Sequence, residues 1–152
     1  MDIVISVRGL YKAFANKQVL VGVDIDVPRG KITSIIGQSG TGKSVLFKCI
    51  IGIMHADKGS IKVNGEEITE LPEAQLRRIR RHFGYCFQDA ALFDSMTVEE
   101  NIAFPLREVL GIKDKRKMRA IVKEKLEWIE LEGIEQKYPS ELSGGMRKRV
   151  GV

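Results

Sequence analysis

The sequence predicts an α/β fold, and three observations along its 152 residues support this prediction. A glycine-rich segment, GQSGTGKS at Gly37–Ser44, lies between the short β-rich run Ile32–Ile36 and a stretch whose apolar residues have helical spacing. Before it, β-branched residues occupy every second position over Val19–Val27, which is typical of a half-buried strand. After Gln88 the apolar residues follow a helical period. We therefore expect strands and a first helix in residues 1–88, and helices in residues 89–142.

The other elements of the first part are predicted by their turn and start signals. A strand is expected over Gly59–Val63, followed by a hairpin turn at Asn64-Gly65. Pro72 predicts the start of a helix that runs to about Arg81. A short strand is then expected over Phe83–Phe87, so that the part before Gln88 alternates between strands and helices.

Two helices are predicted in the second part. Thr97–Glu100 fits a capping box that opens a helix through Phe104, which Pro105 should end or kink. A longer helix is expected to start near Asp114 and to stop at Gly133. Its apolar stripe consists of Met118, Ile121, Val122, Leu126 and Ile129.

The glycine-rich segment has the residues that a phosphate-binding loop needs. Gly37 and Gly42 can adopt backbone angles closed to other residues, so successive N–H groups can point at one anion. A helix that begins near Lys43 adds the positive end of its dipole. Lys43 would reach the β- and γ-phosphates of a nucleoside triphosphate, and the Ser44 hydroxyl would bind Mg²⁺. The candidate nucleotide-binding residues are Gly37, Gln38, Ser39, Gly40, Thr41, Gly42, Lys43 and Ser44.

A second candidate anion site follows about 100 residues later, at Leu142–Met146. Ser143 is a good N-cap residue, and Gly144 and Gly145 leave backbone N–H groups open at a helix start. The alternative is a plain capped helix with a Gly-Gly turn. The order and spacing of the two segments favour a shared function.

With both segments in this order, the chain resembles the nucleotide-binding subunits of ABC transporters from residue 3 to its last residue. Gly37–Ser44 matches that family's Walker A motif, Gln88 its Q-loop and Leu142–Met146 its signature motif. Phe14 matches the aromatic residue that stacks on adenine, although it could also be a strand residue in the core. The resemblance implies a P-loop NTPase fold with an N-terminal antiparallel β subdomain, a RecA-like core and an inserted helical subdomain at residues 89–142. Residues 143–152 would hold the signature motif and the start of its helix.

The resemblance also implies partners and ligands. Two subunits would pair head to tail, so that Ser143, Gly144 and Gly145 contact the γ-phosphate of the ATP held by the other subunit. Gln88 would join Ser44 on Mg²⁺, and Ala90–Thr97 would face the coupling helix of a membrane permease. These roles imply a cytoplasmic protein held on the inner face of the bacterial plasma membrane.

Two sequence segments resemble those of the ATPases of Mce-type lipid transporters, which are also known as lipid-asymmetry or toluene-tolerance systems. They are FQDAALFDSMTVEENIAFPLRE at Phe87–Glu108 and YPSELSGGMRKRV at Tyr138–Val150. In that family the ATPase acts with a permease and, indirectly, with an Mce-type substrate-binding protein to move phospholipids across the cell envelope. Amino-acid or other importers with similar loops are the alternative.

The net charge of +5 does not by itself indicate nucleic-acid binding. Basic residues cluster at Arg77–Arg81, Lys113–Arg119 and Arg147–Arg149, without the interleaved aromatic residues of a stacking platform. We therefore expect solvated faces and no nucleic-acid partner. A non-transport ABC protein of DNA repair or translation is disfavoured, because a long coiled-coil insertion does not fit between the two motifs and only one partial cassette is present.

The family pattern continues beyond the signature helix to a Walker B Asp and Glu and a switch His, and the sequence stops at Val152 before them. Neither Ala90–Asp94 nor Val23-Asp24 replaces Walker B: Ser95 follows the first in place of Glu and that segment precedes the signature, and the second belongs to the alternating strand. The chain is thus expected to be the N-terminal part of the ATPase, lacking the rest of its core and without catalytic residues of its own. A naturally short module that regulates a full-length transporter is the alternative.

We predict that the 152-residue chain alone has negligible ATPase activity, because it lacks a base to polarise the attacking water. Phosphate release by the purified chain, compared with its Lys43→Ala variant, checks this. Clear hydrolysis that Lys43→Ala abolishes would contradict it.

Overall fold

The computed structural model describes residues 2–88 and 90–152. These residues divide into two compact units, with the boundary between Phe83 and Gly84. No helix among the described residues is both long and apolar enough to cross a membrane. The elements of the first unit are β1 (Ile3–Phe14), β2 (Lys17–Pro28), α1 (Lys43–Ile50), β3 (Lys58–Val63), β4 (Glu66–Glu67) and α2 (Glu73–Arg80).

The first unit contains an antiparallel sheet in the order β2-β1-β3-β4. The predicted alternating strand is confirmed as β2, and the predicted hairpin turn joins β3 to β4. Asn64 and Gly65 have φ values of 49° and 81° there, the positive angles that a tight hairpin turn requires. The apolar face of the sheet packs with α1 and α2 into one core, which contains Val7, Leu10, Leu20, Leu46, Cys49, Ile50, Ile61, Val63, Ile68, Leu76 and Ile79.

The second unit is helical, as predicted. It contains α3 (Val98–Glu108), α4 (Lys115–Trp128), a short 3-10 turn (Pro139–Glu141) and α5 (Gly144–Val150). The predicted capping box is confirmed: Thr97 Oγ1 accepts from the Glu100 N–H at 3.2 Å, and the Glu100 carboxylate accepts from the Thr97 N–H at 2.8 Å. The core of this unit contains Val98, Val122, Leu126, Leu131, Ile134, Leu142 and Val150.

Two predicted strands are not formed. Ile32–Ile36 and Phe83–Phe87 have no regular secondary structure. A strand is stabilised by a hydrogen-bonded neighbour, and the described residues pair no strand with either segment. Ile32 and Ile36 are consequently 96% and 95% exposed, whereas Ile35 packs against the core of the first unit.

Pro105 does not end α3, and the end predicted for α4 is wrong. α3 continues through Pro105 to Glu108, although proline removes one intrahelical hydrogen bond. The helix begins with a capping box and buries Val98, and both features stabilise it. α4 ends at Trp128 rather than at Gly133, because Glu130 already has a left-handed φ of 55°.

Candidate functional site

The glycine-rich loop is fixed on β2 through Gly42. This residue has a φ of 94°, which side chains rarely tolerate. A Cβ added there would lie 2.8 Å from Val19 Cγ1 and 2.9 Å from the Val19 carbonyl oxygen. Both the backbone angle and the close approach therefore require glycine. Because Gly42 ends the loop and precedes α1, its contact with Val19 packs the end of the loop and the start of α1 on the β1–β2 hairpin.

The backbone N–H groups of the loop are available to an anion. Residues 37–41 are exposed, and no recorded hydrogen bond within the described ranges uses an N–H group of Gln38–Ser44 as its donor. The first turn of α1 has no acidic residue, and no side chain caps it. Unsatisfied N–H groups and the positive helix end thus lie at one exposed position, the arrangement that binds phosphate at helix N-termini.

Lys43 is held across this loop by the backbone. Its Nζ donates to the carbonyl oxygens of Gly37 and Gln38, each at 2.7 Å. Thr41 Oγ1 donates to the same Gln38 oxygen at 2.8 Å. The loop therefore has a defined conformation in which its cation lies beside the open N–H groups.

Phe14 lies at the tip of the β1–β2 hairpin. Its ring is 44% exposed, and Lys12 Nζ lies 5.6 Å from the ring centroid. Phe14 is paired with Lys17, two residues before the Val19 that contacts Gly42. The half-exposed ring of Phe14 therefore lies in the same hairpin as Val19, the residue that contacts the loop.

Asp57 forms hydrogen bonds with the end of β1, the strand that ends at Phe14. Its carboxylate accepts from Lys12 Nζ at 2.6 Å and from the Ala13 N–H at 2.7 Å. These two bonds, the Lys12 bond first, hold the pKa of Asp57 below its ordinary value. The sequence alone did not single out Asp57, because its partners lie more than 40 residues away.

The second unit carries Gln88 in an exposed turn. Ala90 and Ala91 follow with φ values of 63° and 50°, and such left-handed angles are rare for alanine. Ala90 is buried, and a Cβ added to Gly151 would lie 2.7 Å from its carbonyl oxygen. No sequence signal predicted this strained turn, since alanine disfavours left-handed angles.

The predicted second anion site is a capped helix start. Ser143 Oγ accepts from the Met146 N–H at 3.2 Å, as expected of an N-cap. Gly144 and Gly145 are exposed, and no atom lies within 4 Å of a Cβ added to either. The side chain of Arg147 donates to the Leu142 carbonyl oxygen at 3.1 Å and so holds the segment before the helix. The start of α5 is therefore well ordered and open to solvent.

The second unit also has a mainly apolar groove that sequence reasoning did not find. Its volume is about 760 Å³, and α3, α4 and the segment after Gly84 form its walls. Trp128 on its rim is 70% exposed, with Lys125 Nζ 3.2 Å above the ring centroid. The aromatic residues that line it are Tyr85, Phe87, Phe93, Phe104 and Trp128.

The predicted site residues are thus divided between the two units. The first unit brings together the loop Gly37–Ser44, the start of α1 and the hairpin with Phe14. The second unit contains Gln88 and the helix start at Ser143–Gly145.

Comparison with known families identifies this combination. The ABC transporter family profile matches residues 20–152. The chain belongs to the ABC transporter family. Its fold is accordingly that of the ABC ATP-binding cassettes, which confirms the predicted antiparallel N-terminal sheet and helical part.

Curated relatives match the chain over 97% or more of its length. The "Probable ribonucleotide transport ATP-binding protein mkl" of Mycobacterium leprae is 45% identical over 152 residues, which are 100% of this chain and 44% of that protein. The "Methionine import ATP-binding protein MetN" of Clostridium tetani is 36% identical, over 97% of this chain and 46% of that protein. The chloroplastic "Protein TRIGALACTOSYLDIACYLGLYCEROL 3" of Arabidopsis thaliana is 38% identical, over 99% of this chain and 43% of that protein. The chain therefore spans less than half the length of these relatives.

A solved ATP-binding cassette has the same fold. In that dimeric structure of a post-hydrolysis state bound to ADP and Pi, the cassette superposes with a TM-score of 0.87 at 26% identity. The match covers 97% of this chain and 66% of that one. The loop, the sheet and the helices described above are therefore those of an ABC ATP-binding domain.

Proposed function

We propose that this chain forms the ATP-binding loop and one signature segment of a dimeric ATPase that powers a membrane transporter. The observation that carries the proposal is the exposed loop whose N–H groups, helix dipole and Lys43 lie at one position. Backbone N–H groups and a lysine are the donors that cradle the β- and γ-phosphates in P-loop proteins. Phe14 would then stack on the adenine, because its half-exposed ring is on the hairpin that anchors the loop.

The residues of this site suit Mg²⁺ as a companion of the nucleotide. Among the described residues no cluster of three or more His, Cys, Asp or Glu side chains could hold a metal ion. The exposed Ser44 hydroxyl on the first turn of α1 and the exposed Gln88 amide are neutral oxygen ligands, which Mg²⁺ accepts together with phosphate oxygens and water. A bound Mg²⁺ would neutralise phosphate charge. Ser44 and Gln88 are the residues that we propose to hold it.

The signature segment would act on a nucleotide bound by a second subunit. Ser143 is used as a cap for α5, and the open backbone at Gly144 and Gly145 lets a phosphate approach closely. The dimeric cassette bound to ADP and Pi supports a paired arrangement. A head-to-tail pair would complete each site with Ser143, Gly144 and Gly145 of the opposite chain.

The groove in the second unit fits a helix from a membrane permease. An amphipathic helix binds by placing apolar side chains into such a groove, and aromatic residues dominate the energy of such interfaces. Ala90–Phe93 form part of the wall of the groove. They belong to Ala90–Thr97, the segment that is predicted to face the coupling helix of the permease. The chain would then work on the cytoplasmic face of the plasma membrane, where ATP is present and the permease is anchored.

For the transported substrate we propose a phospholipid or another hydrophobic molecule, moved with an Mce-type substrate-binding protein. The segments at Phe87–Glu108 and Tyr138–Val150 support this, and so does the Arabidopsis relative that is named after a galactolipid. Methionine and ribonucleotides are the competing substrates, because other relatives are named for their transport.

Replacing Lys43 with alanine should weaken ATP binding by about 10- to 100-fold, the value of one charge-assisted hydrogen bond to phosphate. Gly42→Ala should weaken it at least as much, because the new Cβ collides with Val19. Titration of the intact protein with a fluorescent ATP analogue measures both effects. Gly30→Ala is the matched control, because Gly30 also has a positive φ but nothing lies within 4 Å of its added Cβ. Unchanged affinity in Lys43→Ala would refute the proposed phosphate site.

Trp128→Ala should weaken association with the permease by about tenfold or more, the usual effect of removing a buried aromatic anchor. Co-purification of the intact protein with its permease from detergent-solubilised membranes measures this. Tyr138→Ala is the control, because Tyr138 is 45% exposed and does not line the groove. Equal losses in both variants would count against the groove as the docking site, and ATP affinity should stay unchanged in both.

The intact transporter reconstituted with its permease should hydrolyse ATP faster when phospholipid is supplied as substrate than when methionine or a ribonucleotide is supplied. The readout is phosphate release at saturating ATP, with Lys43→Ala as the blank. Stimulation by methionine or a ribonucleotide alone would overturn the lipid assignment, while the ATP-site proposal would stand.

A further inference from the structure

We propose that the loop between α3 and α4, with the first turn of α4, binds an anionic lipid surface. Its residues, called the basic loop patch below, are Val109, Leu110, Lys113, Lys115, Arg116 and Lys117. All of them are exposed. The proposal concerns lipid rather than a protein partner, and it does not depend on the permease contact proposed above.

The patch contains an excess of unpaired positive charge. Between Arg107 and Arg119 there are six basic residues and two acidic ones. Arg107 is paired with Glu108 at 2.6 Å and Arg119 with Glu99 at 3.1 Å. The side chains of Lys113, Lys115, Arg116 and Lys117 take part in none of the salt bridges found among the described residues. Four cations within five positions are therefore open to an external anion.

These charges are unfavourable for the helix that carries them. Lys115, Arg116 and Lys117 form the first turn of α4, which has no acidic residue. Cations at a helix N-terminus oppose the helix dipole. The carboxylate of Asp114 caps the turn by accepting a hydrogen bond from the Arg116 N–H at 2.8 Å. It therefore bonds to the backbone rather than to one of the basic side chains. Charge that destabilises its own helix indicates that the surface is kept for a partner of opposite charge.

The apolar part of the patch favours lipid over nucleic acid. Val109 is 42% exposed and Leu110 is 63% exposed, directly before the cations. Gly111 has a φ of 67°, so the chain turns sharply between the aliphatic and the basic residues. Aliphatic side chains enter the boundary between headgroups and acyl chains while cations attract anionic headgroups. No aromatic residue lies within Val109–Lys117 for stacking on bases.

The test is cosedimentation of the intact protein with phosphatidylcholine vesicles that contain or lack phosphatidylglycerol. Binding should require phosphatidylglycerol and should fall as salt is raised. The variant Lys115→Gln/Arg116→Gln/Lys117→Gln should bind about 100-fold more weakly, because each cation near an anionic surface contributes about fivefold. Val109→Ser/Leu110→Ser should also weaken binding, but without changing its salt dependence.

A matched control removes the same charge elsewhere. Lys58, Lys62 and Lys137 are exposed and take part in no described salt bridge, so Lys58→Gln/Lys62→Gln/Lys137→Gln should leave vesicle binding within about twofold. The patch variant should melt at the same temperature as the unchanged protein or higher, because it relieves the conflict with the helix dipole. An unchanged or higher melting temperature would show that the patch variant loses vesicle binding without unfolding. Equal losses in patch and control variants, no preference for phosphatidylglycerol, or binding to RNA in place of vesicles would each overturn the proposal.

Discussion

The close contact between Gly42 and β2 is the constraint on which the ATP site depends. A backbone with a φ of 94° lies against Val19 with no space for a side chain. Because this contact fixes where α1 begins, it also fixes the direction in which the helix dipole and the first free N–H groups point. The β1–β2 hairpin therefore positions both the phosphate loop and the exposed ring of Phe14. One packed glycine and one hairpin would thus position both parts of the proposed nucleotide site.

The loop is preorganised in its backbone, whereas its lysine has to change partners. Lys43 Nζ donates to the carbonyl oxygens of Gly37 and Gln38, and a phosphate that binds would take over these donors. Both residues are exposed, so water can replace the lost hydrogen bonds at little free-energy cost. The exchange would replace two neutral acceptors by a charged one, so that the lysine forms an ion pair with the phosphate. We therefore expect phosphate to bind by a change of partners at the lysine side chain.

Structural features that depend on hydrogen bonds between neighbouring residues could be predicted from the sequence. The capping box of Thr97, the turn at Asn64-Gly65 and the N-cap of Ser143 each depend on bonds within one turn, and each is confirmed. The strand expected at Ile32–Ile36 depends instead on a neighbour, and apolar composition alone does not say whether one is present. For the same reason Asp57, whose partners are distant in sequence, could not be recognised. The phosphate loop was predictable because its motif lies within eight consecutive residues.

Ala90, one of the two alanines after Gln88, packs against the end of the helix that begins with the signature segment. Consecutive left-handed residues at Ala90 and Ala91 cost about 1–3 kcal/mol each and persist only where packing determines them. Part of that packing comes from Gly151, at the end of α5, where any larger residue would collide with the Ala90 carbonyl oxygen. The same helix begins with the signature residues Gly144 and Gly145. The helix that we propose to face a partner's nucleotide thus also packs, at its other end, against Ala90.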